Sequence, residues 1–182
     1  MSLLKIVTAP DDLLDQKSLE VKVVDDKIKT LAIDMLDTMY HNNGIGLAAV
    51  QIGILLRIIV VDVDYNIEKN NKTQKSEIVN QKQYIMINPI ITSHSSEDNK
   101  FTEGCLSFPE QKITVIRPKK INVDYIDING QSQSITADDI LATCIQHEID
   151  HLNGITIPNY VSSFKRELIM KKLAKLKKDN KE

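Results

Sequence analysis

TADDILATCIQHEIDHLNG, residues 136–154, reads as a helix with a metal-binding pattern inside it. Thr136 can cap its start, with Asp139 three residues on in an arrangement close to a capping box, and Gly154 suits its end. His147 and His151 stand four residues apart, one helical turn, so both rings project from one face and can present a nitrogen to a single metal ion. Glu148 falls on the adjoining face, toward the solvent side of such an ion, where a carboxylate can accept a proton from water. The bland alternative is a solvated helix face with incidental histidines. Only four histidines occur in the chain, and two of them in this pattern argue against chance.

Elements on either side fill in a fold. Residues 25–41 carry Ile28, Leu31, Ala32, Met35, Leu36 and Met39 at helical spacing, with Asp25 or Asp26 as cap. HNNG then ends the helix, and Gly44 is available for an unusual backbone conformation. LLRIIVVDVD (55–64) is continuous and β-branched, as expected of a strand buried on both faces. Residues 65–83 are polar without periodicity and read as an exposed loop. YIMINPII, KITVIRP and INVDYIDI read as short strands. Asn129-Gly130 signals a hairpin from INVDYIDI into QSQSIT. A final amphipathic helix spans roughly 161–178, with Phe164, Leu168, Leu173 and Leu176 among its apolar residues. No repeat or linker divides the chain, so the expectation is one α+β domain over residues 1–182, with mostly antiparallel pairing.

Composition sets the outer bounds. A length of 182 residues with 42% apolar composition suits one globular core. The net charge of −2 singles out no nucleic-acid partner, and no specific DNA binding is expected. Only the tail is biased, with eight basic against two acidic residues from Lys165 to Lys181. Two cysteines are too few for a disulfide scaffold. The first thirty residues lack signal-peptide features, and no apolar run approaches the length of a membrane span. The expectation is a soluble cytoplasmic protein.

A catalytic metal generally has three protein ligands and an open position. A third histidine in the zinc-peptidase arrangement would fall at residue 157, which is Ile157. Glu167, the available downstream carboxylate, lies among lysines on a helix face that should be solvated. Cys144 is three residues before His147, but about 10 Å along the axis from the level of His151, so it reads as a small buried residue beside the site. Cys105 sits in EGCLSFP (103–109), where Gly104 permits close backbone approach and Pro109 limits ladder continuation. The ligand set is therefore Cys105, His147 and His151.

GIGLAAVQIG (44–53) matches a dinucleotide fingerprint in letters only, because a helix precedes it and a strand follows, the reverse of what that site needs. Its glycines instead let an extended backbone pass close to a substrate, with Gln51 offering an uncharged amide donor. A tight packing turn is the competing account.

Taken together and in this order, GIGLAAVQ, EGCLS and HEIDH resemble the three signature segments of the peptide deformylases, of the bacterial type with a longer loop at 65–83. The resemblance implies an α+β fold of mostly antiparallel sheets around the central HEIDH helix. It implies hydrolysis of the N-formyl group from formyl-methionyl nascent polypeptides, with release of formate. One divalent ion is implied, often ferrous iron in the cell, with zinc, nickel or cobalt as alternatives. By resemblance Cys105, His147 and His151 are ligands and Glu148 is the acid/base. Gln51 and the Leu106 N–H stabilise the oxyanion, and Ile45, Gly46 and Gly104 contact the extended substrate. Ile45, Leu141 and Cys144 belong to the methionine pocket, with Thr143 near it. The competing readings are a general metallopeptidase dependent on Glu167, and a non-enzymatic metal or RNA-binding domain. The lysines of the last helix are usually a solvated face; as an expectation, they contact the ribosome.

Overall fold

Ile58, Ile59, Val60 and Val61 are all fully buried in the computed structural model, which describes residues 2–69 and 76–179. Successive side chains of a strand point to opposite faces. Ile59 and Val61 accordingly join Ala48, Met86, Ile121 and Val123 in one apolar cluster, while Ile58 and Val60 join Leu47 and Ile87 in another. Helix α2 (Asp139–Leu152) closes the first face with Ala142, Ile145, Ile149 and Leu152. Helix α1 (Asp26–His41) closes the second with Met35, Leu36 and Met39. This double cover explains the unbroken apolar run read from the sequence.

The sheet between the helices has five strands, in the order β1 (Gly46–Ala48), β2 (Ile58–Val61), β5 (Tyr84–His94), β8 (Lys120–Ile126) and β9 (Ser132–Asp138). All its pairings are antiparallel. Two antiparallel pairs flank it, β3 (Asn66–Lys69) with β4 (Ser76–Val79), and β6 (Asp98–Gly104) with β7 (Lys112–Pro118). A third helix, α3 (Ser163–Asp179), ends the described chain. The architecture is thus α+β with antiparallel sheets around the helix that bears HEIDH.

Four local expectations need correction. Asp25 caps α1, its Oδ1 accepting from the Ile28 N–H at 3.0 Å, but Thr136 does not cap α2. The β8–β9 ladder runs on to the Lys120–Asp138 pair, so the helix begins only at Asp139, and Thr136 Oγ1 donates to Asn122 Oδ1 at 2.6 Å instead. Asp139 makes the corner with φ of +45°, a left-handed conformation unusual for this residue. At the end of α1 it is Asn43, with φ of +54°, that takes the left-handed turn. Gly44 is small for another reason: a Cβ there would lie 2.9 Å from Leu106 Cδ1. The expected loop at 65–83 contains the β3–β4 hairpin, with residues 70–75 outside the described ones. Every residue of β3 is exposed, so no buried stripe existed for a sequence pattern to reveal.

Helix α3 is built into the fold. Ile169 and Leu173 are buried with Ala9, Leu14, Phe108, Ile113 and Val115, and Lys177 Nζ donates to the carbonyls of Thr8 and Pro10 at 2.9 Å each. The segment so held reaches the two loops of the site, through Val7 N–H to the Gln51 carbonyl (2.7 Å) and Ala9 N–H to the Ser107 carbonyl (2.9 Å). Leu173→Ala should therefore cost about 2–5 kcal/mol, as for other buried leucine truncations, read as a lower urea midpoint at unchanged slope.

Candidate metal centre

Helix α2 is buried along most of its length, and its sequence spacing decides which side chains reach the cleft. Ile140, Thr143, Cys144, His147 and Glu148 line one side of a cavity of about 510 Å³. The other sides come from Gly44–Gly46 with Gln51, and from β6 with the loop that follows it through Cys105 and Leu106. Leu141, expected in the methionine pocket, is instead turned away on the helix and packs against the sheet-side core. Ile45, Gly46, Gly104 and Cys144 all line the cavity.

Cys105, His147 and His151 offer ligand atoms that all lie within 4.8 Å of one another, the one such group of three among the described residues. Cys105 Sγ is 3.2 Å from His151 Nε2. His147 Nδ1 lies 2.8 Å from the Glu103 carboxylate, which can only accept, so the Nδ1–H donates and Nε2 is turned to the cluster. Glu167 lies elsewhere, exposed on α3 and paired with Lys171 at 2.7 Å.

The donor set fits a divalent cation. One soft thiol and two imidazoles suit zinc, iron, nickel or cobalt. The charge balance also calls for a cation at this spot. Burial alone would depress the basicity of His147, yet Cys105 and Glu103 raise it well above the usual imidazole range. His151, buried and beside His147, is pushed well below it. The sulfur and the carboxylate beside His147 thus favour positive charge at this spot, while His151 is kept neutral with a lone pair free to bind.

Glu148 is 3% exposed, and its Oε2 has no hydrogen-bond partner. Burial, with a contribution from Glu103, raises its carboxyl to about 7. Such a group can both take and return a proton near neutral pH. Gln51 is held in one orientation: its Oε1 accepts from Ala48 N–H at 2.8 Å, while Nε2 points toward Cys105 Sγ (3.4 Å) and Ser107 Oγ (3.2 Å). That sends the amide donor, rather than its oxygen, toward the thiol.

Strand β1 forms the edge of the five-stranded sheet. The Ile45 carbonyl is used inside the sheet, accepting from Asp62 N–H at 2.9 Å, and the Ala48 N–H is turned outward to Gln51. Strand alternation therefore turns both backbone groups of Gly46 into the cleft. A Cβ on Gly46 would collide with Glu148 Oε1 and lie 2.7 Å from Cys144 Sγ, so this position has room for hydrogen alone. Gly104 differs: a Cβ there would meet nothing within 4 Å, so its absent side chain leaves the cleft open instead of relieving a clash.

A layer of residues behind the ligands escaped the sequence reading. Arg117, 5% exposed, grips Glu103 through Nε (2.6 Å) and Nη2 (3.1 Å) and Asp150 through Nη1 (2.7 Å), and Tyr160 Oη donates to Asp150 at 2.6 Å. Burial would raise the Glu103 pKa, but the hydrogen bonds to His147 and Arg117 hold it low and the group ionised. One signal was available: Arg117 is an arginine in the apolar strand KITVIRP, at a position whose parity matches buried Ile113 and Val115. Glu103→Gln should weaken divalent-metal affinity by roughly 10–100-fold, the usual effect of removing a partner that orients a ligand, measured by competition with a chromophoric chelator.

Comparisons with known proteins agree with one another. A family model described as polypeptide deformylase matches residues 3–167. A peptide deformylase of Bartonella tribocorum is 46% identical over 179 residues, covering 98% of this chain and 96% of that protein. One from Wolbachia pipientis wMel is 45% identical over 178 residues, covering 98% of each. The crystal structure of peptide deformylase from Ehrlichia chaffeensis superposes with a TM-score of 0.86 at 42% identity, covering 98% of this chain and 99% of that one. A structure of that enzyme in complex with actinonin gives 0.85 at 44% identity, covering 96% and 98%.

Proposed function

The chain belongs to the polypeptide deformylase family, and from that premise we propose the role of each residue in the cleft. It is a metal-dependent hydrolase that removes the N-formyl group from formyl-methionyl nascent polypeptides and releases formate. Cys105, His147 and His151 hold the ion, and ferrous iron is its cellular identity, with zinc, nickel and cobalt able to occupy the same donors. A divalent ion there supplies Lewis acidity, which brings the ionisation of water near neutral pH and polarises a carbonyl.

The protein's own groups do the rest. The formylated peptide lies extended along β1, pairing with the outward backbone groups of Gly46, with Ile45 and Gly104 on either side of it. Ile45 and Cys144, together with Ile140 and Thr143, form the wall that receives the methionine side chain. Glu148 takes one proton of the attacking water and returns it to the nitrogen as the C–N bond breaks, so the amine leaves neutral; the water's other proton stays on the formic acid, which ionises to formate on release. The Gln51 Nε2–H and the Leu106 N–H face the oxygen on which charge develops, fixed before the reaction begins. Arg117 and Glu103 act through His147, holding its ring.

The observation that carries this reading is the convergence of three ligand atoms, an unpartnered buried carboxylate oxygen and an oriented amide donor on one cavity. A general peptidase that uses Glu167 has no support from this geometry, because Glu167 is paired on an exposed helix.

We also propose that residues 1–182 act as one catalytic domain in the cytoplasm, with α3 touching the ribosome where the substrate emerges. No described helix is long and apolar enough to cross a membrane. Lys165, Lys175 and Lys178 are exposed on α3. Deleting the helix would remove core residues, so charge reversal is the cleaner probe. Lys165→Glu, Lys175→Glu and Lys178→Glu combined should weaken cosedimentation with ribosomes and flatten its salt dependence, and unchanged cosedimentation would refute the contact.

The central test is formate release from a formyl-Met peptide by protein purified anaerobically and supplied with ferrous ion. Glu148→Ala should retain the metal and lose turnover by at least about a hundredfold. Loss of the metal together with activity would instead make Glu148 a ligand.

A further inference from the structure

Behind the cleft, Asp62 follows β2 and is completely buried. Its carboxylate accepts four hydrogen bonds: Tyr40 Oη (2.7 Å) and Lys82 N–H (3.0 Å) on one oxygen, Asp64 N–H (3.1 Å) and Tyr65 N–H (3.2 Å) on the other. A buried carboxylate is costly unless it is saturated in this way. The four donors come from the end of α1, from the chain entering β3 and from the chain leaving β4. Asp62 therefore ties together both feet of the exposed hairpin.

From this knot two groups reach forward. Tyr65 packs edge-on against the Tyr40 ring, with centroids 4.8 Å apart, and its Oη donates to the Gly44 carbonyl at 3.0 Å. The Asp62 N–H holds the Ile45 carbonyl at 2.9 Å. Gly44 and Ile45 are the two residues that lead into Gly46, and all three line the cleft. Strand β1 has only three residues and lies at the sheet edge, where short strands fray most readily. The entry to β1 is thus braced from behind at two consecutive carbonyls.

We propose that Tyr65, set in place by Asp62 and Tyr40, is a positioning residue for the peptide substrate, and that the root of the β3–β4 hairpin is the anchor of the substrate-binding strand. The assignment rests on the deformylase reading above, in which Gly46 pairs with substrate backbone. Tyr65 touches neither substrate nor metal. It acts through the Gly44 carbonyl by keeping β1 extended, so that the strand needs no ordering when a peptide binds.

Tyr65→Phe tests this, because it keeps the ring against Tyr40 and removes only the hydroxyl. With a formyl-Met tripeptide, KM should rise roughly two- to tenfold, the scale of one lost hydrogen bond. The value of kcat should stay within about twofold and the bound metal should be unchanged. Amide exchange in a fragment spanning residues 44–48 should be faster in the variant, a readout independent of turnover. An unchanged KM overturns the proposal whether or not exchange quickens, since an anchor that orders the strand without aiding the substrate is merely structural. A fall in kcat at constant KM overturns it too. Failure of the wild-type protein to release formate would strike the functional reading itself, and is distinguished by that control.

Discussion

Arg117 is the fixed charge around which the site is arranged. Its fork binds Glu103 twice and Asp150 once, buried where β6, β7 and α2 meet. Breaking a buried network of this kind by removing one partner is strongly destabilising, because the charge left behind has lost both water and counter-ion. The separation of the two strands and the helix is thereby limited to what the guanidinium can span. Glu103 passes the constraint on to His147 through its second oxygen. Cys105, two residues further along, follows from the same strand end toward the same cluster, since positions two apart on an extended chain share a side. A single buried cation thus helps bring a thiol from a loop to two imidazoles on a helix.

The parts of this arrangement that repeat along one element were legible in the sequence. Spacing alone placed His147 and His151 on one helical face, and the unbroken run around Ile58–Val61 announced a strand covered on both sides. Leu141 shows the limit of such reading. A shift of one residue on a helix turns the side chain by about 100°, and the cavity receives Ile140 while Leu141 goes to the core. The start of α2 was misplaced because a plausible cap at Thr136 competed with a strand ladder, and no local signal ranks the two. Arg117 acts through Glu103 and Asp150, 14 and 33 residues away, Tyr65 through Gly44 at 21, and Asp62 adds Tyr40 and Lys82, at 22 and 20, to its local turn with Asp64 and Tyr65. Contacts of that range are made by the tertiary fold, and local pattern is silent about them.

The hairpin illustrates a different silence. With β3 exposed at every position, it has no apolar periodicity and reads as loop. Its root nonetheless converges on the buried Asp62 carboxylate, which accepts four hydrogen bonds there, so its anchorage comes from Asp62 rather than from burial of its own side chains.

In the proposed substrate pose, selectivity for a terminal formyl group would follow from how tightly the floor of the cleft is closed. Gly46 leaves no space for a Cβ between β1 and the Glu148 and Cys144 side chains of α2. The edge strand therefore approaches the Glu148 carboxylate as closely as a backbone can. Downstream the cleft is open, for a Cβ at Gly104 would meet nothing. A peptide can run out along that open end, whereas at the closed end an internal amide would need room for a further carbon and the chain attached to it. A formyl group carries hydrogen at that point. In that pose the discrimination would rest on steric exclusion of the larger acyl group, a device that needs no contact specific to the formyl hydrogen. It demands rigidity at the place where β1 meets α2, because any widening there would relax the exclusion. A braced edge strand and a helix locked by a buried ion network supply that rigidity from either side of their contact.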